Sequence, residues 1–128
     1  MIKKRTLGLG TALALTLTVA AQAPAWAQDP AAGETVFRQC MACHTLQEGQ
    51  NRVGPSLHGV FGRTSGAVEG FNYSDAMKNA GIVWDAETIS AYLANPRDYI
   101  PGNRMTFAGI PDEQRRVDLI AYLEQATQ

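Results

Sequence analysis

Two cysteines stand two residues apart, and a histidine follows the second: Cys40-Met41-Ala42-Cys43-His44. So short a spacing suits a redox pair, half of a zinc site or a haem attachment better than a structural bridge. On a helical turn, side chains at i and i+3 point to one side. Two thiols placed in this way can reach the two vinyl groups of one haem, and the adjacent His44 can set an imidazole nitrogen on the iron. A C-x-x-C-H run is the known signature of c-type haem attachment. The rival chemistries lack their settings. A thioredoxin-like thiol pair belongs in a βαβ unit, and nothing here alternates like parallel strands. Structural zinc takes four ligands, and beyond this run only His58 remains as a further Cys or His. The expected cofactor is one haem c, attached through Cys40 and Cys43.

The 128-residue chain reads as one domain preceded by an export leader. Lys3, Lys4 and Arg5 form a cationic head, an apolar run follows from Leu7 to about Ala21, and Ala25-Trp26-Ala27 is a small-x-small cleavage pattern. We expect residues 1–27 to be a signal peptide removed after Ala27, and 28–128 to be the working domain. The apolar run is short and rich in Thr and Gly for a bilayer span, so no stable membrane anchor is expected. Removing three of the 11 basic residues leaves 8 against 12 acidic ones, a net charge of −4. An acidic surface excludes general nucleic-acid binding, which needs a basic footprint. The expected place of work is the periplasm.

Along the domain the pattern is all-α. Asp29-Pro30-Ala31-Ala32 reads as a helix start, with an acidic residue near the positive helix end and Pro at the first helical position. Gly33, Phe37, Cys40 and Met41 then recur at helical spacing. Gly inside a helix costs about 1 kcal/mol relative to Ala, which suggests a second backbone passing close to Gly33. From Thr45 to about Tyr73 glycines recur every few residues, a long looped segment that a large buried cofactor would organise. A short helix is expected over 74–79, stopped by Gly81. A better one runs from Asp85 as N-cap to Asn95, with Pro96 after its end. A last helix covers about 112–126.

Haem iron has two axial places, and the second decides the function. His44 takes one; Met41, Met77, Met105, His58 or an open site are the candidates for the other. Met41 lies inside the attachment run and cannot reach the opposite face. His58 reads as a solvent-facing loop residue, and Met77 as a core filler. Met105 follows Ile100-Pro101-Gly102-Asn103-Arg104, an extended loop that can cross the far haem face. Thioether ligation is common opposite a c-type haem, so Met105 is the expected ligand. With both places filled, the iron has no vacancy for substrate. The soft thioether favours the ferrous state, which describes a carrier.

The chain resembles class I cytochrome c, in particular the short bacterial type near the mitochondrial protein. The likeness covers essentially all of 28–128. It rests on Cys40-Met41-Ala42-Cys43-His44, Gly54-Pro55-Ser56-Leu57-His58-Gly59, Phe71-Asn72-Tyr73-Ser74-Asp75-Ala76, Tyr92-Leu93-Ala94-Asn95-Pro96, Tyr99-Ile100-Pro101-Gly102 and Met105-Thr106-Phe107-Ala108-Gly109-Ile110. The resemblance implies a cytochrome c fold of three to five helices and long loops around one haem, with the first and last helices crossing. It implies that the Pro55 carbonyl accepts from His44 and that Tyr92 hydrogen-bonds the Met105 sulfur. Arg63, Tyr73 and Trp84 would surround the inner haem propionate, and Phe107 would cover the haem near its exposed edge. Gly33 and Phe37 would cross Leu119 and Tyr122. Two features depart from the mitochondrial pattern. Met77 replaces the usual asparagine beneath the haem, and Lys78 is the one lysine after the leader. Arg52, Arg97 and Arg104 would form a smaller basic rim on an acidic body.

The expected function is one-electron transfer through the haem edge, without catalysis. A monomer would dock briefly with membrane redox complexes: a cytochrome bc-type complex on one side and an oxidase, peroxidase or reaction centre on the other. Two other classes remain open at this point. One is an enzyme or gas sensor with a displaceable Met105; the other is a fixed relay subunit of a larger dehydrogenase.

Overall fold

Asp29 starts the first helix by satisfying orphan donors: its carboxylate accepts from Ala31 N–H at 3.0 Å and Ala32 N–H at 3.1 Å. In the computed structural model, which describes residues 27–128, this helix is α1, Pro30–Phe37. The expected leader therefore lies outside the described residues, apart from Ala27. The remaining helices are α2 Asp75–Asn79, α3 Ala86–Ala94, α4 Pro96–Tyr99 and α5 Glu113–Ala126. Among the described residues there is no strand, only an isolated antiparallel bridge between Thr64 and Val83. No described helix is long and apolar enough to cross a membrane.

The frame is the crossing of α1 and α5, the first and last helices. A Cβ on Gly33 would collide with the Asp118 carbonyl oxygen, and would lie 2.5 Å from the Asp118 carbonyl carbon and 2.9 Å from Tyr122 Cβ. The two backbones thus touch at the glycine, as its place inside a helix suggests. Phe37 packs its ring 5.4 Å from that of Tyr122 and shares a buried cluster with Val36, Ile110, Leu119 and Leu123. Leu119 is fully buried, a contribution of roughly 1.5–3 kcal/mol from one side chain. Asp118 is also buried, and its carboxylate accepts from Asp29 N–H at 3.0 Å and Gln114 Nε2 at 2.8 Å. These bonds tie the start of the chain to its end.

The expected capping of α3 holds. Asp85 accepts from Thr88 N–H at 2.8 Å while Thr88 Oγ1 accepts from Asp85 N–H at 2.8 Å, a reciprocal capping box. Ile89 and Tyr92 face inward. They join Val60, Trp84, Ile100 and Ile120 in a second buried cluster. Leu57, Phe61 and Leu93 pack against both clusters, so they lie where the two meet.

Three local expectations need correction. Pro96 does not merely follow a helix; it opens α4, with Asn95 accepting from Asp98 N–H at 3.4 Å as N-cap. A proline at the first helical position loses no helical hydrogen bond, so the residue that stops α3 also starts α4. The attachment run does not continue α1, which is capped at Arg38. Met41, expected on one helix face with Gly33 and Phe37, lies past the helix end and is 52% exposed. Helical periodicity cannot carry beyond the helix end. His58, expected to face solvent, is half-buried, on a segment whose backbone is engaged by Ser56 and Arg63.

Candidate functional site

Beyond Arg38 the chain tightens. Cys40 N–H donates to Phe37 O at 2.8 Å, Cys43 N–H to Cys40 O at 3.2 Å and His44 N–H to Cys40 O at 3.0 Å. Turns closed by i→i+3 bonds keep residues three apart on one side. The Cys40–Cys43 geometry expected of a helix is therefore supplied by turns. Both thiols are free and half-buried. Burial pushes the Cys40 thiol up to about 11, with Cys43 adding to the shift. A redox-active cysteine needs the opposite, a lowered pKa that yields thiolate near neutral pH.

The glycine-rich loop is pinned alongside this run. Gly54 N–H donates to Cys43 O at 2.8 Å and Leu57 N–H to Thr45 O at 2.9 Å. Between them the Pro55 carbonyl meets His44 Nδ1 at 2.7 Å. A carbonyl only accepts, so Nδ1 carries the proton and Nε2 keeps its lone pair. Burial is the main reason the His44 pKa falls; the Pro55 bond opposes the fall and the Arg63 charge adds to it. The imidazole is held neutral and oriented, the form a metal requires. Gly54 makes the close approach possible: a Cβ there would lie 2.7 Å from Nδ1 and closer still to Cε1.

The second half of the site is built on α3 and the loop after α4. Tyr92, buried on α3, places its hydroxyl 3.8 Å from the Met105 sulfur. Burial pushes this phenol up to about 12, so it remains a donor. Its ring lies 5.2 Å from that of Trp84. Met105 and Met77 pack against the cluster that contains Tyr92 and Trp84, while Cys40 and Phe107 pack against the other.

Of the residues expected around a propionate, Arg63 and Trp84 are joined by backbone. Trp84 N–H donates to Arg63 O at 2.9 Å, and Gly62 N–H to Trp84 O at 2.7 Å. The Arg63 guanidinium donates to Ser56 O at 3.0 Å and His58 O at 3.2 Å. It lies near enough to Tyr73 to oppose the rise that burial gives that phenol. Tyr73 Oη accepts from Val68 N–H at 3.2 Å.

Sequence reasoning missed two contributors. Gly54 sits in a quoted motif, yet its role against the His44 ring is visible only in three dimensions. Asn103 accepts from Met105 N–H at 2.9 Å; its place directly after Pro101-Gly102, a turn that ends in an amide able to bond locally, was the available signal.

These residues fit a covalently held haem. Two thiols lie across one turn, beside an imidazole with a free nitrogen and Gly54 shaved to its ring, and a thioether faces a phenol donor. The cytochrome c family model matches residues 30–127. Cytochrome c2 of Blastochloris viridis is 54% identical over 112 residues, 87% of this chain and 88% of that protein. Cytochrome c-550 of Ancylobacter novellus is 58% identical over 99 residues, 74% of this chain and 92% of that protein. Cytochrome c of Ginkgo biloba is 48% identical over 101 residues, 77% of this chain and 89% of that protein. With Cys40, Cys43 and His44 inside the matched stretch, the chain belongs to the cytochrome c family, as an electron carrier and not an enzyme, its haem c attached through Cys40 and Cys43.

Proposed function

We propose that the protein is a monomeric periplasmic carrier, with His44 and Met105 as the axial ligands of its haem iron. The observation that carries this reading is the Tyr92 hydroxyl set 3.8 Å from the Met105 sulfur. That contact fits a thioether kept in one orientation better than a methionine packed as filler. When bound, the haem supplies a reversible one-electron change at the iron. The rest falls to the chain. Pro55 holds the His44 ring through Nδ1, and the neutral imidazole presents Nε2. Phe107, half-buried on the Met105 loop, would shield the haem edge from water. Arg63, Tyr73 and Trp84 would offset the inner propionate, whose burial would otherwise be costly. Held by His44 and Met105 together, the group would keep the same protein ligands in both oxidation states, so the chain would need little rearrangement on transfer.

The donor and acceptor would be membrane redox complexes, a bc-type complex and an oxidase, peroxidase or reaction centre. Docking would be brief and small in area, as is usual for redox encounters. Residues 1–27 would direct export and be removed after Ala27.

The test is the absorption spectrum of periplasmically produced protein, oxidised and then reduced. A c-type spectrum with the weak far-red band of methionine-ligated ferric iron is expected, and Met105→Ala should abolish the band. A five-coordinate, high-spin spectrum in the unmodified protein would overturn the carrier reading in favour of catalysis or ligand sensing.

A further inference from the structure

The loop that carries Met105 starts at a well-defined turn. Pro101 and Gly102 occupy its two centre positions, Gly102 has φ +89°, and Asn103 N–H closes it on Ile100 O at 3.1 Å. This is the type II pattern, which needs glycine at the third residue. Asn103 leaves the turn half-buried, with its amide engaged on both sides. Nδ2 donates to Pro96 O and to Ile100 O, each at 2.8 Å. Oδ1 accepts from Met105 N–H at 2.9 Å. The partners settle which end of the amide is which, because carbonyls only accept and a backbone N–H only donates. The Tyr92 hydroxyl also lies 3.5 Å from the same Oδ1. One side chain thus links the first residue and the C-cap of α4, the backbone of Met105 and the phenol that faces its sulfur.

Apart from Arg104, whose Nη1 donates to Asn72 O at 3.4 Å, little else restrains the loop on that side. Among the described residues, the main chain of 104–108 makes one backbone bond, Phe107 N–H to Met105 O at 3.0 Å. The far end is anchored where Ile110 N–H donates to Leu93 O at 2.7 Å and Arg116 donates to Ile110 O and Pro111 O, each at 2.8 Å. Between these anchors Met105 rides on a strap whose near end is Asn103.

We propose that Asn103 is a positioning residue for the Met105 thioether, holding the strap closed so that a competing ligand must break its bonds to take the iron. The proposal rests on the reading of Met105 as the axial ligand. Displacing the thioether requires residues 104–108 to lift, and lifting them breaks the Met105 N–H bond to Asn103. In Asn103→Ala that resistance is gone before any ligand arrives.

The experiment is a titration of the ferric holoprotein with imidazole, followed through the far-red band. Asn103→Ala should bind imidazole about tenfold more tightly than the unmodified protein, the equivalent of one buried hydrogen bond. Asn103→Thr should fall between them, because its hydroxyl can accept from Met105 N–H but cannot donate to two carbonyls. Thr88→Val, which removes hydrogen bonds to Val83 and Asp85 and none to the strap, serves as a control for general destabilisation. If Thr88→Val, titrated under the same native conditions and corrected for its own loss of stability, tightens imidazole binding as much as Asn103→Ala, Asn103 is merely structural and the proposal is overturned. If Met105→Ala keeps the far-red band, the reading of Met105 falls first and takes the proposal with it. A Met105→Ala variant without the band, beside an Asn103→Ala variant with unmodified imidazole affinity, overturns the proposal alone.

Discussion

At the scale of single residues, the site is arranged by atoms that do not themselves bind the haem. Pro55 and Gly54 act on His44 from two sides, one through a hydrogen bond and the other by having no Cβ. Gly54→Ala should push the imidazole off the Pro55 carbonyl. We expect a lower yield of protein with covalently attached haem, and a higher reduction potential in what is recovered, because an imidazole without its Pro55 acceptor gives less electron density to ferric iron; haem staining and potentiometry would check both. Tyr92 would act on the proposed second ligand, Met105. A hydroxyl donating to the Met105 sulfur withdraws electron density that ferric iron needs more than ferrous iron does. Removing it in Tyr92→Phe should therefore stabilise the ferric state. Part of a neutral hydrogen bond, itself worth ~1 kcal/mol, translates into a fall of a few tens of millivolts, since about 59 mV is tenfold for one electron. Spectroelectrochemistry would measure it, and an unchanged or raised potential would remove Tyr92 from the tuning of the iron.

At the scale of elements, the α1–α5 crossing is the least tolerant point. At Gly33 the nearest atoms belong to the α5 backbone, which cannot rotate away as a side chain can. Gly33→Ala gains about 1 kcal/mol in helix propensity but overpacks the crossing by roughly 1–3 kcal/mol. Because the clash is with backbone, we expect the upper part of that range and a net loss near ~2 kcal/mol, measured by guanidine unfolding. The cap of α3 gives a pH signature. Thr88 N–H, then its hydroxyl, holds the Asp85 carboxyl below the usual carboxylate range. A depressed pKa means stability that is present above the unfolded value and is lost as pH falls through the folded one. Asp85→Asn can still cap but cannot titrate, so the unmodified protein should keep its advantage over this variant at neutral pH and lose it progressively as pH falls below the ordinary carboxylate range. Thermal melts across that interval would check it. The sequence read these two places well because each depends on chemistry within four residues or on a single glycine. The α3 cap, the start of α1 and the extent of α5 were legible for the same reason. Four-residue α4 was not, since Pro96 is an equally good stop and start. Met41 was misplaced because a period says nothing about where a helix ends. The buried carboxylate of Asp118 was hidden for a different reason, as its partner Asp29 N–H comes from the far end of the chain; Asn103 had a signal in the turn before it, but its reach to Pro96 and Met105 shows only in three dimensions.

At the scale of the molecule, charge decides which partners approach and how salt affects them. Residues 27–128 carry 8 basic and 12 acidic side chains, a net charge of −4. Arg52, Arg97 and Arg104 are exposed, and Lys78 is bound 2.9 Å from Asp75. Two of those arginines lie beside the site: Arg52 donates to Met41 O at 3.2 Å within the attachment run, and Arg104 precedes Met105. The acidic body and the local basic rim therefore act with opposite sign and over different ranges. The Debye length is ~30 Å at 0.01 M salt and ~10 Å at 0.1 M. At the lower salt a small anionic oxidant feels the whole body and is repelled; at the higher one it feels mainly the nearby arginines. Its second-order rate with the reduced protein should rise from 0.01 M to about 0.1 M salt, measured by stopped flow. A cationic oxidant should show the reverse slope. Arg104→Glu should slow the anionic reaction throughout this range while leaving the absorption spectrum unchanged, because it alters encounter and not ligation. A rate with the anion that falls steadily from 0.01 M would mean that the rim outweighs the body even at long range. The acidic surface would then be irrelevant to docking, and a partner face rich in carboxylates would be the one that fits.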